Sequence, residues 1–149
     1  MLMTIRVPEL NNKEFSFKDS TKNLKLVTKL MKQSFQDQVD AQTAPDEKEP
    51  DFEKMSPKEV LDYEVKNTKK QISAFNDELK RIDQTISTFA EIFGLSKEDS
   101  KILEELSTEE LGSVLGHVSF RLNRPQVSED QFWDLISAGE TKKLAPEKG

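Results

Sequence analysis

The feature that most constrains the fold is a long apolar repeat through the middle of the chain. Its positions alternate steps of four and three residues, which places all of them on one side of an α-helix. One of the ten positions is polar, and three carry phenylalanine. We call this repeat the seam; it consists of Leu61, Val65, Thr68, Ile72, Phe75, Leu79, Ile82, Ile86, Phe89 and Phe93.

Signals at both ends of the seam set the bounds of one helix. Ser56 occupies a cap position, Pro57 suits the first helical position, and Glu59 completes a capping box. At the other end, Gly94 can adopt the left-handed conformation that ends many helices. The sequence therefore predicts one helix over residues 57–93, roughly 55 Å long.

A seam of this length needs a cover, and the residues leave three covers open: shorter helices of the same chain, a second copy, or a helical partner. Phenylalanine favours a mixed helical core, because regular two-stranded coiled coils prefer Leu, Ile and Val. We expect the C-terminal helices to cover the seam from Leu79 to Phe93. The part from Leu61 to Phe75 then remains for the N-terminal elements or for a partner.

Three short helices are predicted after Gly94, each with its own start signal. "SKED" begins a helix over residues 97–106, "STEE" begins one that ends near Leu122, and "SEDQ" begins another after Ser128. Residues 139–149 are polar, and we expect a disordered tail there. The apolar residues expected to face inward are Ile102, Leu103, Leu106, Leu111, Val114, Leu115, Val118, Leu122, Phe132, Trp133, Leu135 and Ile136.

The N-terminal region predicts a β-hairpin followed by an amphipathic helix. "MTIRV" and "EFSFK" alternate apolar and polar residues, as half-buried strands do, and Asn11 and Asn12 suit the tight turn between them. Asp19 or Ser20 can cap the helix that follows. The apolar stripe of this helix consists of Leu24, Val27, Leu30, Met31, Phe35 and Val39.

A second stripe on the same helix is basic. It repeats at steps of three and four residues, as a helix face does, and two interpretations remain open for it. It could bind an acidic partner, or it could be an ordinary solvated face with some charge pairing, which is the favoured interpretation. Its members are Lys22, Lys25, Lys29 and Lys32, preceded by Lys18.

The predicted fold class is mainly α with a small N-terminal β-hairpin (α+β), in which short C-terminal helices pack back on a long central helix. Residues 1–39 hold the hairpin and the amphipathic helix. Residues 40–56 contain two prolines and a run of acids, and they form an acidic linker. Residues 57–138 hold the long helix and the C-terminal helical bundle, followed by the tail.

Residues suited to catalysis are scarce. The absence of cysteine excludes disulfides, thiolate metal sites and cysteine nucleophiles. His117 is the only histidine, and we interpret it as structural because it borders an apolar helix face. No glycine-rich phosphate loop is present. We therefore expect a non-enzymatic protein without catalytic residues, metal or cofactor.

The single tryptophan has two interpretations. Trp133 suits either a binding anchor or, as favoured, a residue that closes the end of a small core.

The charge distribution disfavours nucleic acid as a partner. The net charge is −6, with seven Lys/Arg against three Asp/Glu in residues 1–36 and three against ten in residues 37–64. A nucleic-acid-binding domain is usually basic overall.

No window approaches the roughly 20 apolar residues of a membrane span, and no secretory signal is recognisable, so we expect a soluble cytoplasmic protein that binds no membrane.

The order of these parts resembles a known family. The hairpin "MTIRVPELNNKEFSFK", the basic helix "STKNLKLVTKLMK", the acidic linker, and the run "IDQTISTFAEIFGLSKED" with "LEELSTEELGSVLGHVSFRL" follow one another. This arrangement resembles the tail assembly chaperones of long-tailed bacteriophages and prophages, the group that includes the G-type tail assembly proteins. The likeness covers residues 1 to about 122 and is one of pattern and order.

The resemblance implies a factor that acts in the host bacterial cytoplasm and is absent from the finished virion. Members of that family coat the tape measure protein, a long and largely helical rod, keep it soluble, and help to recruit tail tube protein along it. In that family a longer form often arises by ribosomal frameshifting.

We therefore hypothesise a partner-binding surface made of two sets of residues. Apolar side chains of the seam would face the partner, and the basic stripe would add charge complementarity. The competing interpretation is a structural or regulatory coiled-coil protein that self-associates through the same seam. A small DNA-binding regulator that uses the lysines is a distant third. The proposed surface consists of Leu61, Val65, Ile72, Phe75, Lys22, Lys25, Lys29 and Lys32.

Overall fold

The computed structural model describes residues 1–44 and 49–144, with the backbone alone for residues 140–144. It confirms the mainly α class with an N-terminal hairpin. Two short 3-10 segments, Pro8–Leu10 and Phe52–Lys54, and a longer one, Asp99–Glu105, connect the main elements. These elements are β1 Leu2–Val7, β2 Lys13–Lys18, α1 Thr21–Thr43, α2 Pro57–Phe93, α3 Thr108–Asn123 and α4 Glu129–Leu144.

The hairpin forms from the two predicted strands, with the predicted asparagine turn between them. β1 and β2 pair antiparallel, with Ile5 opposite Phe15. Asn11 and Asn12 have φ values of 56° and 58°, the left-handed conformation that asparagine tolerates better than most residues. Because side chains alternate between the faces of a strand, one face is buried in full. It consists of Met3, Ile5, Val7, Phe15 and Phe17.

Helix α1 begins where predicted and ends four residues later than predicted. The Ser20 hydroxyl accepts a hydrogen bond from the Asn23 backbone N–H, which caps the helix. The sequence placed the end near Val39, where the apolar period stops. The helix continues to Thr43 and ends at Ala44, which precedes a proline in the sequence and has an extended ψ of 133°. The stop signal is therefore the proline and not the loss of apolar residues.

The far end of α1 also differs from its predicted burial. Phe35 and Val39 belong to the apolar stripe that was expected to face inward, but both side chains are exposed. Val27 and Leu30, one to two turns earlier, are buried. The core ends between these two pairs, so the predicted stripe is correct in direction and too long in extent.

Part of the acidic linker is described, and residues 45–48 lie outside the described residues. The segment Phe52–Lys54 forms a single 3-10 turn beside the start of α2. The rings of Phe52 and Tyr63 meet edge to face, with their centroids 5.6 Å apart. This contact anchors the described end of the linker to the first two turns of the long helix.

Helix α2 has the predicted bounds. The Ser56 hydroxyl accepts a hydrogen bond from the Glu59 backbone N–H at 3.2 Å, and Pro57 occupies the first helical position. Gly94 has a φ of 64°, and its N–H donates to the Glu91 carbonyl at 3.4 Å. A residue with a side chain is strained in this conformation, which explains why glycine ends the helix.

The segment after Gly94 is a 3-10 helix over Asp99–Glu105, inside the predicted range 97–106. Leu103 is fully buried and Leu106 nearly so. The next cap, Ser107, follows directly, and its side chain and that of Glu110 form the predicted capping box. The segment is therefore too short for an extended α-helix but long enough to place two leucines against α2.

Helix α4 starts with the predicted cap and extends past the predicted tail boundary. The Ser128 hydroxyl accepts from the Gln131 N–H at 3.1 Å, and the Ser128 N–H donates to the Gln131 side chain. The helix continues to Leu144 although the tail was predicted from 139. The lysines and leucine after Gly139 are good helix formers, so a helix already begun there can propagate. Residues 145–149 lie outside the described residues.

The core forms around the C-terminal end of α2. The Phe93 ring stacks on Phe15 of β2 with centroids 4.9 Å apart and on Phe89 with centroids 5.7 Å apart. The hairpin therefore covers the last turn of the seam, whereas the sequence left the hairpin to the first half. Strand hydrophobicity specifies a buried face and does not specify which part of α2 will bury it.

Helix α1 runs antiparallel to α2. Lys22 at its start lies 3.5 Å from the Glu91 carboxylate, and Asp37 near its end pairs with Arg81. Helix α3 packs against α1 and β1.

None of the helices in the described part of the chain combines the length and the apolar character of a membrane span.

Candidate partner-binding surface

One part of helix α2 packs in the core, and another part is exposed to solvent. The apolar side chains Ile86, Phe89, Ile92 and Phe93 are buried in the core, whereas every residue from 64 to 81 is exposed. We call residues 57–81 of α2 the arm, and the hairpin, α1, the segment Asp99–Glu105, α3 and the rest of α2 the body. At 1.5 Å per residue the arm is roughly 37 Å long. Tyr63 near the start of the arm contacts Phe52, and Arg81 at its end pairs with Asp37.

The exposed arm carries the first half of the seam. The residues Ile86, Phe89 and Phe93 are 0–8% exposed, and they lie on the same side of α2 as the seam residues of the arm. The five large apolar side chains of the arm are 45–61% exposed. They are Leu61, Val65, Ile72, Phe75 and Leu79.

Leu79 corrects the predicted boundary of the covered seam. The sequence placed it at the start of the part covered by the C-terminal helices, but it is 60% exposed. Ile82, one turn later, is partly buried against the core. The elements that contact α2 are mainly α1, the segment Asp99–Glu105 and β2, and they bury no residue between 64 and 81.

The arm leaves the body beside an apolar groove. Residues from α1, α2 and α3, among them Leu30, Ile82 and Leu115, line this groove, which has a volume of about 240 Å³. At its edge, the Arg81 guanidinium donates a hydrogen bond of 2.8 Å to one carboxylate oxygen of Asp37, and its Nε lies 2.8 Å from the other oxygen in an ion pair. Ile82, the seam position that follows exposed Leu79, lines this groove.

The basic stripe lies on another part of the molecule. All four lysines are exposed, on the side of α1 away from buried Val27. Lys22 pairs with Glu91, which is twelve residues, or roughly 18 Å, along α2 from Leu79. The other three have no recorded ion pair among the described residues. The structure thus groups the apolar residues of the hypothesised surface with one another and leaves Lys22 at the opposite end of α2.

A polar cluster that the sequence did not predict fastens α4 to the body. Its centre is the Glu129 carboxylate, in the first turn of α4. One oxygen lies 2.6 Å from His117 Nε2 and 2.9 Å from an Arg121 guanidinium nitrogen of α3. The other accepts from the Arg6 backbone N–H of β1 at 2.7 Å and from the Trp133 indole N–H at 3.0 Å. Glu129 therefore joins α3, α4 and β1.

Aromatic contacts surround this cluster. The His117 ring stacks on Phe132 with centroids 3.7 Å apart, and Trp133 lies edge-on to His117 at 5.4 Å. The Arg6 guanidinium lies 5.3 Å from the Trp133 ring centroid. These contacts agree with the interpretation of His117 as structural and of Trp133 as the end of a small core. Leu135 and Ile136, predicted to face inward one turn later, are exposed.

The cluster also sets the ionisation of Glu129. Burial alone would raise the pKa of this carboxyl, and it is the largest single influence. Hydrogen bonds from His117, from the Arg6 N–H and from Trp133, together with the charge of His117, outweigh it and hold the pKa below the ordinary 4.5. Glu129 is therefore ionised at neutral pH, where it compensates the charge of buried Arg121.

Both carboxylate oxygens of Glu129 are engaged by the protein itself, so the arrangement serves packing. In residues 1–44 and 49–144, no three histidine or acidic side chains come together as a metal site requires. The strongest candidate for a functional surface is thus the exposed seam of the arm with the groove at its base.

Known proteins add no family to this description. No family model matches the chain, no curated protein matches it in sequence, and no solved structure matches it.

Proposed function

We propose that this protein is a tail assembly chaperone of a long-tailed bacteriophage or prophage. In this role it binds the tape measure protein in the host cytoplasm, keeps it soluble, helps to recruit tail tube protein, and stays out of the finished virion. The proposal draws on the resemblance in the order of parts and on the exposed seam of the arm.

The single observation that carries the proposal is the exposure of Leu61, Val65, Ile72, Phe75 and Leu79 on one face of a free helix. Exposed apolar patches of this kind mark interaction surfaces. A seam with a heptad period packs best against another helix. Covering the exposed half of each side chain would stabilise a complex by about 1 kcal/mol per side chain. A largely helical tape measure protein suits such a surface.

Co-expression tests this function. The chain and the tape measure protein encoded near it are produced together and separately, and soluble tape measure protein is measured after centrifugation. We expect soluble tape measure protein, in a complex that co-purifies, only when both are present. Tape measure protein that stays insoluble in both cases contradicts the proposal.

Two matched variants locate the surface. Ile72→Glu places a charge in the exposed seam, and Ala74→Glu places the same charge on the opposite side of the arm, where Ala74 is exposed. We expect Ile72→Glu to abolish solubilisation and Ala74→Glu to preserve it, with equal helical circular dichroism. Loss of helix in Ile72→Glu would instead place Ile72 in the core.

A self-associating coiled-coil protein is the alternative, because the same free seam could pair with a second copy. Sedimentation of the chain alone separates the two functions. A monomer at micromolar concentration favours the chaperone. A tight dimer that Ile72→Glu dissociates, with no effect on tape measure protein, favours the alternative.

A further inference from the structure

We infer that the arm binds an amphipathic helix whose own apolar seam is flanked by lysine or arginine side chains. The inference rests on the proposed function, since it specifies the chemistry of the partner at the same surface. It goes further because it states which helices the arm accepts and which it rejects.

The charges beside the exposed seam are mostly acidic. In a heptad repeat, two positions border the apolar seam, one on each side, and they contact the partner helix. On one side of the arm these positions hold Asp62, Lys69 and Asn76, and on the other Glu64, Gln71 and Glu78. Three acids and one base thus border the seam.

The other basic residues of the arm lie further from the seam. Lys66 and Lys80 are next to seam positions in sequence, but a helical step of about 100° turns them to the outer surface. Lys70 lies on the side opposite the seam. A partner helix in the seam therefore meets a border that is acidic on balance, although the arm as a whole carries many lysines.

Opposite charges at bordering positions attract and like charges repel, which sets partner choice in helical pairs. The complement of this border is a helix with Lys or Arg at its own bordering positions. The same rule opposes a second copy of the chain as the occupant.

An antiparallel pair of arms illustrates this repulsion. The alignment that covers the whole exposed seam sets Leu61 against Leu79 of the second copy and Val65 against Phe75 of the second copy. The heptad then places Glu64 opposite Glu78 of the second copy, and Lys69 opposite its own equivalent. Like charges meet at each of these charged borders.

A parallel pair of arms meets a different obstacle. The seam from Ile82 onward is already covered by the body of its own chain. Two parallel arms would bring two bodies to the same place. Across a parallel pair, Glu64 would attract Lys69 of the second copy, but Glu78 would repel Asp83 of the second copy, so the borders give no net attraction. Neither arrangement of two arms matches the surface as well as a basic-bordered helix does.

Two synthetic peptides test the inference on the full chain. Both span three heptads with Leu and Ile at the seam positions, and they differ only at the bordering positions, which hold Lys in one and Glu in the other. Fluorescence polarisation measures their affinities at low and high salt. We expect the Lys peptide to bind roughly tenfold tighter at low salt, and the difference to shrink as salt screens the charges.

Matched variants separate this preference from general attraction to an acidic protein. Ile72→Glu makes the chain more acidic but disrupts the seam, so binding of the Lys peptide should be lost. Glu78→Lys alters the border and should weaken the preference, whereas Asp77→Lys makes the same charge change on the opposite side and should preserve it.

The inference is overturned if the two peptides bind equally, if the Glu peptide binds better, or if Ile72→Glu still binds the Lys peptide. A chain that solubilises tape measure protein without any peptide preference loses this inference and keeps the proposed function. A chain that shows the preference but does not solubilise tape measure protein keeps the inference and loses the function.

Discussion

Phe75 and Phe89 occupy equivalent positions two heptads apart on the same face of α2, yet one is 61% exposed and the other is fully buried. Both follow the same period, and both lie inside one uninterrupted helix. The difference comes from other elements, since the hairpin, α1 and the segment Asp99–Glu105 pack against α2 but bury no residue between 64 and 81. An apolar period therefore defines which face of a helix can be buried, but it does not define which element packs against that face.

The largest predicted effect is the difference in stability between alanine variants of these two phenylalanines. Phe89→Ala removes a fully buried ring and should lower the free energy of unfolding by about 3–5 kcal/mol. Phe75→Ala removes a ring that contacts little and should lower it by less than about 0.5 kcal/mol. Urea unfolding followed by circular dichroism measures both. Equal losses would mean that the arm is packed like the body.

The next effect concerns how α4 is held to the body. Glu129→Gln removes the charge that compensates buried Arg121 and should lower the free energy of unfolding by about 2–3 kcal/mol. Asp130→Asn is the control, because Asp130 is almost fully exposed and lies 3.9 Å from Arg6. We expect it to match the wild type in the same urea titration. If Glu129→Gln is as stable as the wild type, the polar cluster does not hold α4 in place.

A smaller effect should appear as the pH is lowered. The pKa of Glu129 is depressed in the folded state, so its contribution to stability is present above the unfolded value of 4.5 and is lost as the pH falls through the folded pKa. Thermal unfolding followed by Trp133 fluorescence should show that the stability advantage of the wild type over Glu129→Gln decreases as the pH falls below 4.5. An advantage that is constant with pH would contradict the assignment.

The smallest effect lies at the boundary between arm and body. Arg81 and Asp37 are joined by two short contacts, but both side chains are about two-fifths exposed, at 44% and 40%. Water and salt screen such a pair, so Arg81→Ala should lower the free energy of unfolding by about 0.5 kcal/mol. High salt should reduce the difference in thermal melting. A loss comparable to that of Phe89→Ala would make this pair the main tie between α1 and α2.

Local signals predicted the starts and ends of elements well. Ser56, Ser107 and Ser128 cap the helices that their sequences indicate, and Gly94 ends α2 where expected. Each of these signals depends on hydrogen bonds or backbone conformation within a few residues. The neighbouring sequence is sufficient to predict such features.

Contacts between distant residues were not predictable in the same way. Glu129 reaches Arg6, which is 123 residues away in sequence, and no spacing rule links the two. Local signals predicted the helix cap at Ser128, next to Glu129, and nothing about a contact between Glu129 and His117 or Arg121. For α2, the apolar period predicted the face that is buried at Ile86, Phe89 and Phe93, while the boundary at Leu79 depends on how far α1, β2 and the segment Asp99–Glu105 reach along the helix.

Hydrogen exchange along α2, measured in the free protein and with tape measure protein bound, tests the central claim most directly. In the free protein we expect amides of residues 82–93 to be protected and those of the arm to exchange faster, because no core supports the arm. Binding should protect the arm around Ile72 and leave the basic face of α1 unchanged. An arm already protected in the free protein, or new protection confined to other elements, would contradict the claim that the exposed seam is the partner-binding surface.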